Sequence, residues 1–484
     1  MTTKRNLLRL LALLLSFTLI AAACGDDSED SDADTDSTAE TDDAGDADSD
    51  DMADDDTADD DMADDDMADD DDMADDEPVE LTATFRGVTA DTINIGVTML
   101  DFPLLVELNL SDAGWGDQPA VYQAIIDGIN ENGGINGRMI EAEYSFYSPI
   151  SATSADEVCT QLTQDFELFA VIGGFLGPAG GTSDPCITGL NETVLIGGEI
   201  NAEELADSVA PWYHPGQTVE EQTTELFDLL EENGYTDGRS IYVVGGVAAE
   251  AQFDFVMNEL DTRGLNVVGS AILGAGDGDT VDQDNEMGPI MSRVDESGAD
   301  TVFIFGNPSA LIRGIADNGL TDNVEIWTNN ASGLNNLGAT IPDLSIADGT
   351  LTTGGLIDVE IWEQEIFQTN CVAHVAERVA DADLKSPDLY ERDEENWFNS
   401  TRLACQDLEL FRLIAEAAGP NLTQDSFVEG ANSLTSFEFP TGPESSLGPD
   451  KITARDLVRL LAYDSTAGDG MAVPVTDLRN RTEG

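Results

Sequence analysis

The chain has 484 residues, with 99 Asp and Glu against 19 Lys and Arg and a formal net charge of −80. A field this negative excludes nucleic acid as a partner, because phosphate contacts need a basic patch. The two histidines, His214 and His374, stand in no metal-ligand spacing, and neither a Gly-x-Ser-x-Gly elbow nor a phosphate-binding Lys loop occurs; no catalytic residue, metal ligand or cofactor is therefore assigned, and an enzyme is not expected.

At the N-terminus, Lys4, Arg5 and Arg9 precede the apolar run from Leu10 to Ile20, and Ala21-Ala22-Ala23-Cys24-Gly25 follows. A basic start, a short apolar core and small residues before a cleavage point read as a secretory signal over residues 1–23. The run is shorter than the roughly 20 apolar residues of a spanning helix. Small residues directly before a Cys resemble a bacterial lipobox. That resemblance implies a diacylated Cys24 and an extracytoplasmic protein held at the cell membrane by its N-terminal lipid.

Residues 24–90 read as an Asp-rich, disordered tether. Positions 26–77 hold 30 of the 99 acids and no Lys or Arg, so they have little to bury and repel themselves. Asp32, Asp34 and Asp36 alternate like calcium-loop ligands, but Ser37 stands where such a loop needs its turn Gly. The remaining 69 acids face 16 bases, of which only Lys385 and Lys451 are lysines. Such a surface suits saline surroundings, where self-repulsion is screened beyond about 10 Å. Export also fits the cysteines. Apart from Cys24 there are four, and an even number in an oxidising compartment predicts two disulfides with three possible connectivities. The expected pairing, Cys159–Cys186 with Cys371–Cys405, closes the shortest loops.

The folded part alternates β-rich runs with amphipathic stretches. Thr92–Val97 predicts a strand, and Val121, Ile125, Ile126 and Ile129 share one face of a helix over 120–129. A turn at Gly133–Gly137, a strand over 139–144, a helix over 154–165 and a strand at Ala170–Gly173 come next. After a Gly-rich loop and a short helix through Cys186, the strand Thr193–Ile196 closes the set. A second set follows Pro211: strands over 240–244, 267–273, 301–305 and 324–327, and helices over 251–263, 289–297 and 309–318. The fold class is α/β, with two similar doubly wound parallel-sheet lobes. Ligands of open α/β sheets bind beyond the carboxyl ends of the strands, so two such lobes facing each other enclose a cleft.

Asp127-Gly-Ile-Asn-Glu-Asn-Gly-Gly-Ile-Asn-Gly-Arg138 resembles the helix-end motif of type I periplasmic binding proteins, the branched-chain amino-acid-binding components of ABC transporters. Ala170-Val-Ile-Gly-Gly174 and Val194-Leu-Ile-Gly-Gly198 resemble that family's next strand-to-loop junctions, and Leu447-Gly-Pro-Asp-Lys451 and Ala462-Tyr-Asp464 its C-terminal segment. The order matches from about 91 to 470. The resemblance implies three crossover segments, near Pro211–His214, Thr350–Gly355 and Phe439–Gly442. It thereby implies one lobe of residues 91–213 and 352–440, and another of 214–351 and 441–484. It further implies hinge closure on a small polar solute and delivery to an ABC permease. Cys159–Cys186 also resembles a disulfide that several members carry.

Ligand contacts are carried over only onto loops that follow strands. Leu176, Gly177, Pro178 and Ala179 open the loop whose backbone N–H groups would face a carboxylate. Gly198, Glu199 and Asn201 form the next, where a Glu199 carboxylate would pair with an ammonium. Asn307, Asn329 and Asn330 follow later strands. At Asn329 and Asn330 the amino-acid-binding members have an acid, which is missing here; neutral hydrogen bonds from these amides would suit an amide or urea. Two alternatives share the fold: that amide or urea binder, and a lipoprotein that senses a ligand instead of feeding a permease.

Overall fold

The computed structural model describes residues 80–484 except 109, 110, 112, 150, 177–183, 247, 248, 275–279, 336, 340, 392, 469 and 484. The signal, Cys24 and most of the tether lie outside the described residues.

Alternation of side chains along β-branched runs builds the first sheet. Strands β1 (Thr92–Leu100), β2 (Met139–Tyr147), β3 (Ala170–Gly173), β4 (Val194–Gly197) and β5 (Trp212–Tyr213) pair in the order β2-β1-β3-β4-β5, all parallel. Ala170, Ile172, Val194, Ile196 and Tyr213 face one core, while their neighbours Val171, Leu195 and Trp212 face another. This is the period-2 pattern of a sheet buried on both faces. Helices α1 (Gln118–Glu131), α2 (Ala152–Thr160) and a wider-wound turn (Gln161–Asp165) cover it. The helix expected over 154–165 is thus two pieces.

Asp117 caps α1 by accepting from Ala120 N at 3.1 Å. Gly133 and Gly134 end it at φ +101° and +65°, and a methyl on Gly134 would stand 2.0 Å from the Arg138 carbonyl oxygen. Only glycine fits there. Arg138 is itself buried and donates to the carbonyls of Thr89, Pro420 and Thr82. In this chain, the helix-end motif is therefore a structural clasp.

The second sheet repeats the first. Strands β6 (Ile241–Gly245), β7 (Val267–Ile272), β8 (Thr301–Phe305), β9 (Glu325–Thr328) and β10 (Leu351–Gly354) run parallel in the order β7-β6-β8-β9-β10. Helices α3 (Ala202–Ala206) and α4 (Val219–Glu232) come before them in the chain. Between the strands run α5 (Glu250–Thr262), α6 (Thr280–Ser297) and α7 (Ser309–Asp317). Helix α6 begins nine residues before the expected 289 and carries Pro289 inside it.

The chain then returns to the first lobe. Helices α8 (Trp397–Ala417) and α9 (Gln424–Ser433) place Phe398, Leu408, Phe411 and Phe427 in the same core as Ile95 and Ile172. A hairpin of β11 (Phe437–Phe439) and β12 (Gly442–Ser445) follows, and Leu447 and Ala454 still pack on that core. Strand β13 (Leu457–Asp464) then enters the second sheet antiparallel to β10, with β14 (Met471–Pro474) and β15 (Arg479–Asn480) beside it. The chain thus passes between the lobes three times, after β5, after β10 and just before β13; the third crossing lies near Ala454–Asp456, not at the expected Phe439–Gly442, because the hairpin, Leu447 and Ala454 still bury apolar side chains in the first lobe. Disulfides join Cys159 to Cys186 and Cys371 to Cys405.

Candidate functional site

The strand order reverses between β1 and β3 and between β6 and β8. In open α/β sheets, ligands bind at this point, beyond the strand ends. On the first lobe the loops after β3 and β4 meet as bare backbone. Gly198 N donates to Gly173 O at 2.8 Å, and a methyl on Gly174 would stand 2.5 Å from Gly198 Cα. Beneath them lies Asp184, fully buried, a residue the sequence reading did not single out. Its two carboxylate oxygens accept from Phe175 N at 2.9 Å and Glu199 N at 3.3 Å, so one side chain holds both loops. Burial pushes this carboxyl well above the usual range, against the two N–H bonds. Leu176 N donates to Tyr147 Oη at 2.8 Å, which fixes the mouth of the same loop. Gly177, Pro178 and Ala179 lie outside the described residues.

Glu199 is exposed at the rim. Asn201 caps α3, accepting from Glu204 N at 3.0 Å. Burial, with the charges of Glu199, Glu220 and Glu203 behind it, lifts Glu204 to about 7 against its hydrogen bond to Asn201. Ala202 N donates to Glu220 Oε1 at 3.1 Å, in the first turn of α4. In a parallel α/β unit the start of the helix before β6 lies at the carboxyl end of that sheet, so the two sets of loops face each other here.

On the second lobe the loops after β8 and β9 are joined through Asn330, which donates to Gly306 O at 3.3 Å and accepts from Gly333 N at 2.6 Å. Asn307 is exposed, and its side-chain oxygen accepts from Ser309 N at 3.0 Å. Asn329 is 2% exposed and donates to Thr223 Oγ1 on α4 at 2.9 Å. The Asn pair is therefore divided between a buried brace and a loop brace.

Where the first and third crossings run together, His214 and Arg455 stand side by side. His214 Nδ1 accepts from Gly216 N at 2.8 Å, and the imidazole also bonds the Gly198 backbone. Burial, then the Arg455 charge, lower it to about 4, so it is neutral at pH 7. A methyl on Gly216 would stand 3.5 Å from Arg455 Nη2, and one on Gly355 would stand 3.2 Å from Arg455 Cδ. Arg455 thus touches the first and second crossings from its place on the third.

Arg402, in the second turn of α8, also belongs here. Helix α8 runs alongside α1 in the same direction: Asn396 N donates to Gly114 O at 3.0 Å at one end, and Asn136 Nδ2 to Ala415 O at 3.1 Å at the other. That brings its first turns to the strand ends. Asp407 and Tyr122 lie behind Arg402, buried, and burial lifts Asp407 to about 8 against Gln406 and Arg402.

No family model and no curated protein matches the chain in sequence. Solved structures do match it in fold. A solute-binding protein of an ABC transporter from Rhodopseudomonas palustris HaA2, in complex with p-hydroxybenzoic acid, has TM-score 0.58 and 15% identity, covering 81% of this chain and 98% of that one. A fatty acid ABC transporter substrate-binding protein from Thermomonospora curvata has TM-score 0.54 and 15% identity over 82% and 95% of the two chains. A leucine binding protein, LivK, from Thermotoga maritima MSB8 has TM-score 0.56 and 13% identity over 81% and 100%. The chain has the type I periplasmic binding protein fold of ABC-transporter solute-binding proteins, as its strand-to-loop junctions led one to expect.

Proposed function

We propose that this protein is an extracytoplasmic solute-binding lipoprotein. It captures a small polar solute, an amino acid or a related compound, between its lobes and presents it to an ABC permease. The observation that carries this reading is the doubling of one architecture. Two sheets of like strand order turn their carboxyl-end loops toward each other, and three chain crossings act as hinges between them. The lobes, residues 91–213 with about 352–454 and residues 214–351 with about 455–484, would close on the ligand as bodies. The acidic segment after a lipid-bearing Cys24 would hold them off the membrane. Non-catalytic binding is consistent with similar folds that bind an aromatic acid, a fatty acid and leucine.

The amide or urea reading loses support, because Asn329 is already bonded to Thr223. Sensing differs from transport only in the membrane partner, so neighbouring genes for a permease and ATPase, against one for a histidine kinase, separate the two.

The test is a thermal-shift screen of the protein, unfolded and refolded in high salt to strip bound solute, against amino acids, small carboxylates, amides and urea. A ligand that binds only the folded form adds about 2.7 kcal/mol at a hundredfold excess over Kd. Scattering should show compaction with the same solute. Absence of a shift across the whole panel would count against solute capture.

A further inference from the structure

From the hinge residues we infer that the captured solute is an anion, and that its carboxylate is held by Arg455 with Arg402 at the floor of the cleft. The inference rests on the solute-capture reading and adds the charge class of the ligand.

Among the described residues Arg455 is the one arginine whose guanidinium makes neither a hydrogen bond nor an ion pair with them. Arg86, Arg138 and Arg293 donate to carbonyls, and the others meet carboxylates or have a partner of their own. In a chain with 99 acids and 19 bases, a half-buried guanidinium without a counterion is unexpected.

The carboxylates that follow the three crossings in the chain are engaged elsewhere. Glu221 accepts from Thr218 N and Thr453 Oγ1 and pairs with Arg481 at 2.9 Å. Asp456 pairs with Lys451 at 2.9 Å, Glu360 with Arg459, and Asp358 with Arg402 at 3.6 Å. The groups that face Arg455 most strongly are two further cations, Arg402 and Arg481. With burial acting first, they lower its proton affinity, and Glu221 opposes them only weakly. Its other neighbour, His214, is uncharged at neutral pH. Like charges gathered in a partly dehydrated place, with local acids committed to other partners, form a site that an arriving carboxylate completes. A planar guanidinium offers such a group two parallel N–H bonds.

The location adds a mechanical consequence. Arg455 lies against Gly216 and Gly355, so it touches all three crossings. An anion seated on it neutralises the repulsion exactly where the lobes pivot, and thereby favours the closed arrangement.

The test uses acids paired with their neutral amides, at constant ionic strength, by calorimetry: 4-hydroxybenzoate with 4-hydroxybenzamide, isovalerate with isovaleramide. Leucine, an acid that also carries an ammonium, completes the panel. The acids should bind at least about thirtyfold more tightly than their amides. Arg455→Gln should weaken the acid by a similar factor and leave a weakly bound amide unchanged, while Arg455→Lys recovers part of the loss. Ligand-free Arg455→Gln should melt no lower than the parent, since a like charge has been removed. Arg402→Gln supplies the same comparison should the first variant fail to fold. Equal affinity for acid and amide, or an acid affinity indifferent to both substitutions, overturns the anion site while leaving solute capture intact. Failure of the parent protein to bind any member rejects capture itself, and the anion site with it.

Discussion

Asp184 shows how a single buried side chain can fix the loops at two strand ends. Two strand ends with adjacent glycines leave backbone N–H groups pointing at one another's loops, and a buried carboxylate gathers one from each. Replacing it with Ala leaves both N–H groups without their acceptor, at a cost of about 1–3 kcal/mol for each one that is buried. Asp184→Asn keeps one oxygen and should lose roughly half as much. The pH dependence follows from burial: a carboxyl raised on folding binds more protons folded than unfolded, so its contribution is full below the unfolded value and declines as pH climbs. Denaturant titrations of the parent and Asp184→Asn should therefore show the largest gap near pH 4 and a smaller one at pH 8. A gap that widens with pH would show that the carboxylate is held ionised instead. Glu199, the acid the sequence singled out, is an exposed rim residue, and Asn201 is a helix cap. Residue type and position after a strand could not separate a ligand contact from a cap, because both use the same short polar side chains.

At the scale of elements, the parallel strands were legible because each is a run of four to nine residues that is apolar on both faces or alternates cleanly. The missed pieces have weak local signals. Strand β5 is two residues long, and Trp212 and Tyr213 take opposite cores, so no period can be read. The first half of α6 is polar and is interrupted by Pro289, a residue that ordinarily ends a helix. The disulfides are also an element-scale feature: Cys159–Cys186 pins α2 to the segment before β4, and Cys371–Cys405 pins α8 to a wide helical turn at Gln368–Val372. With separations of 27 and 34 residues, chain-entropy arguments give each roughly 3.5–4 kcal/mol. Cys159→Ser with Cys186→Ser should lower the urea midpoint by a corresponding amount at unchanged slope. An unaltered midpoint would mean that the reduced chain is already restrained in its unfolded state.

At the scale of the whole molecule, charge dominates. The 69 acids of the folded part face 16 bases, and most of those bases are occupied in ion pairs that leave the surrounding surface negative. The melting temperature should rise by about 5 °C or more between 0.1 and 2 M KCl, as screening relieves this repulsion; a melting temperature indifferent to salt would remove the case for a saline habitat. Composition and periodicity alone determined the acidic surface, the alternation of strands and helices and the class of fold, because burial pattern and net charge are sums over neighbouring residues. The sequence also contained Arg402, His214 and Arg455, but separated by 188 and 241 positions it held no sign that they meet. Only the tertiary structure brings them together at the crossings, because a charge's surroundings are defined in space. The committed partners of Glu221, Asp456 and Asp358, not the identity of Arg455, leave that guanidinium without a counterion among the described residues.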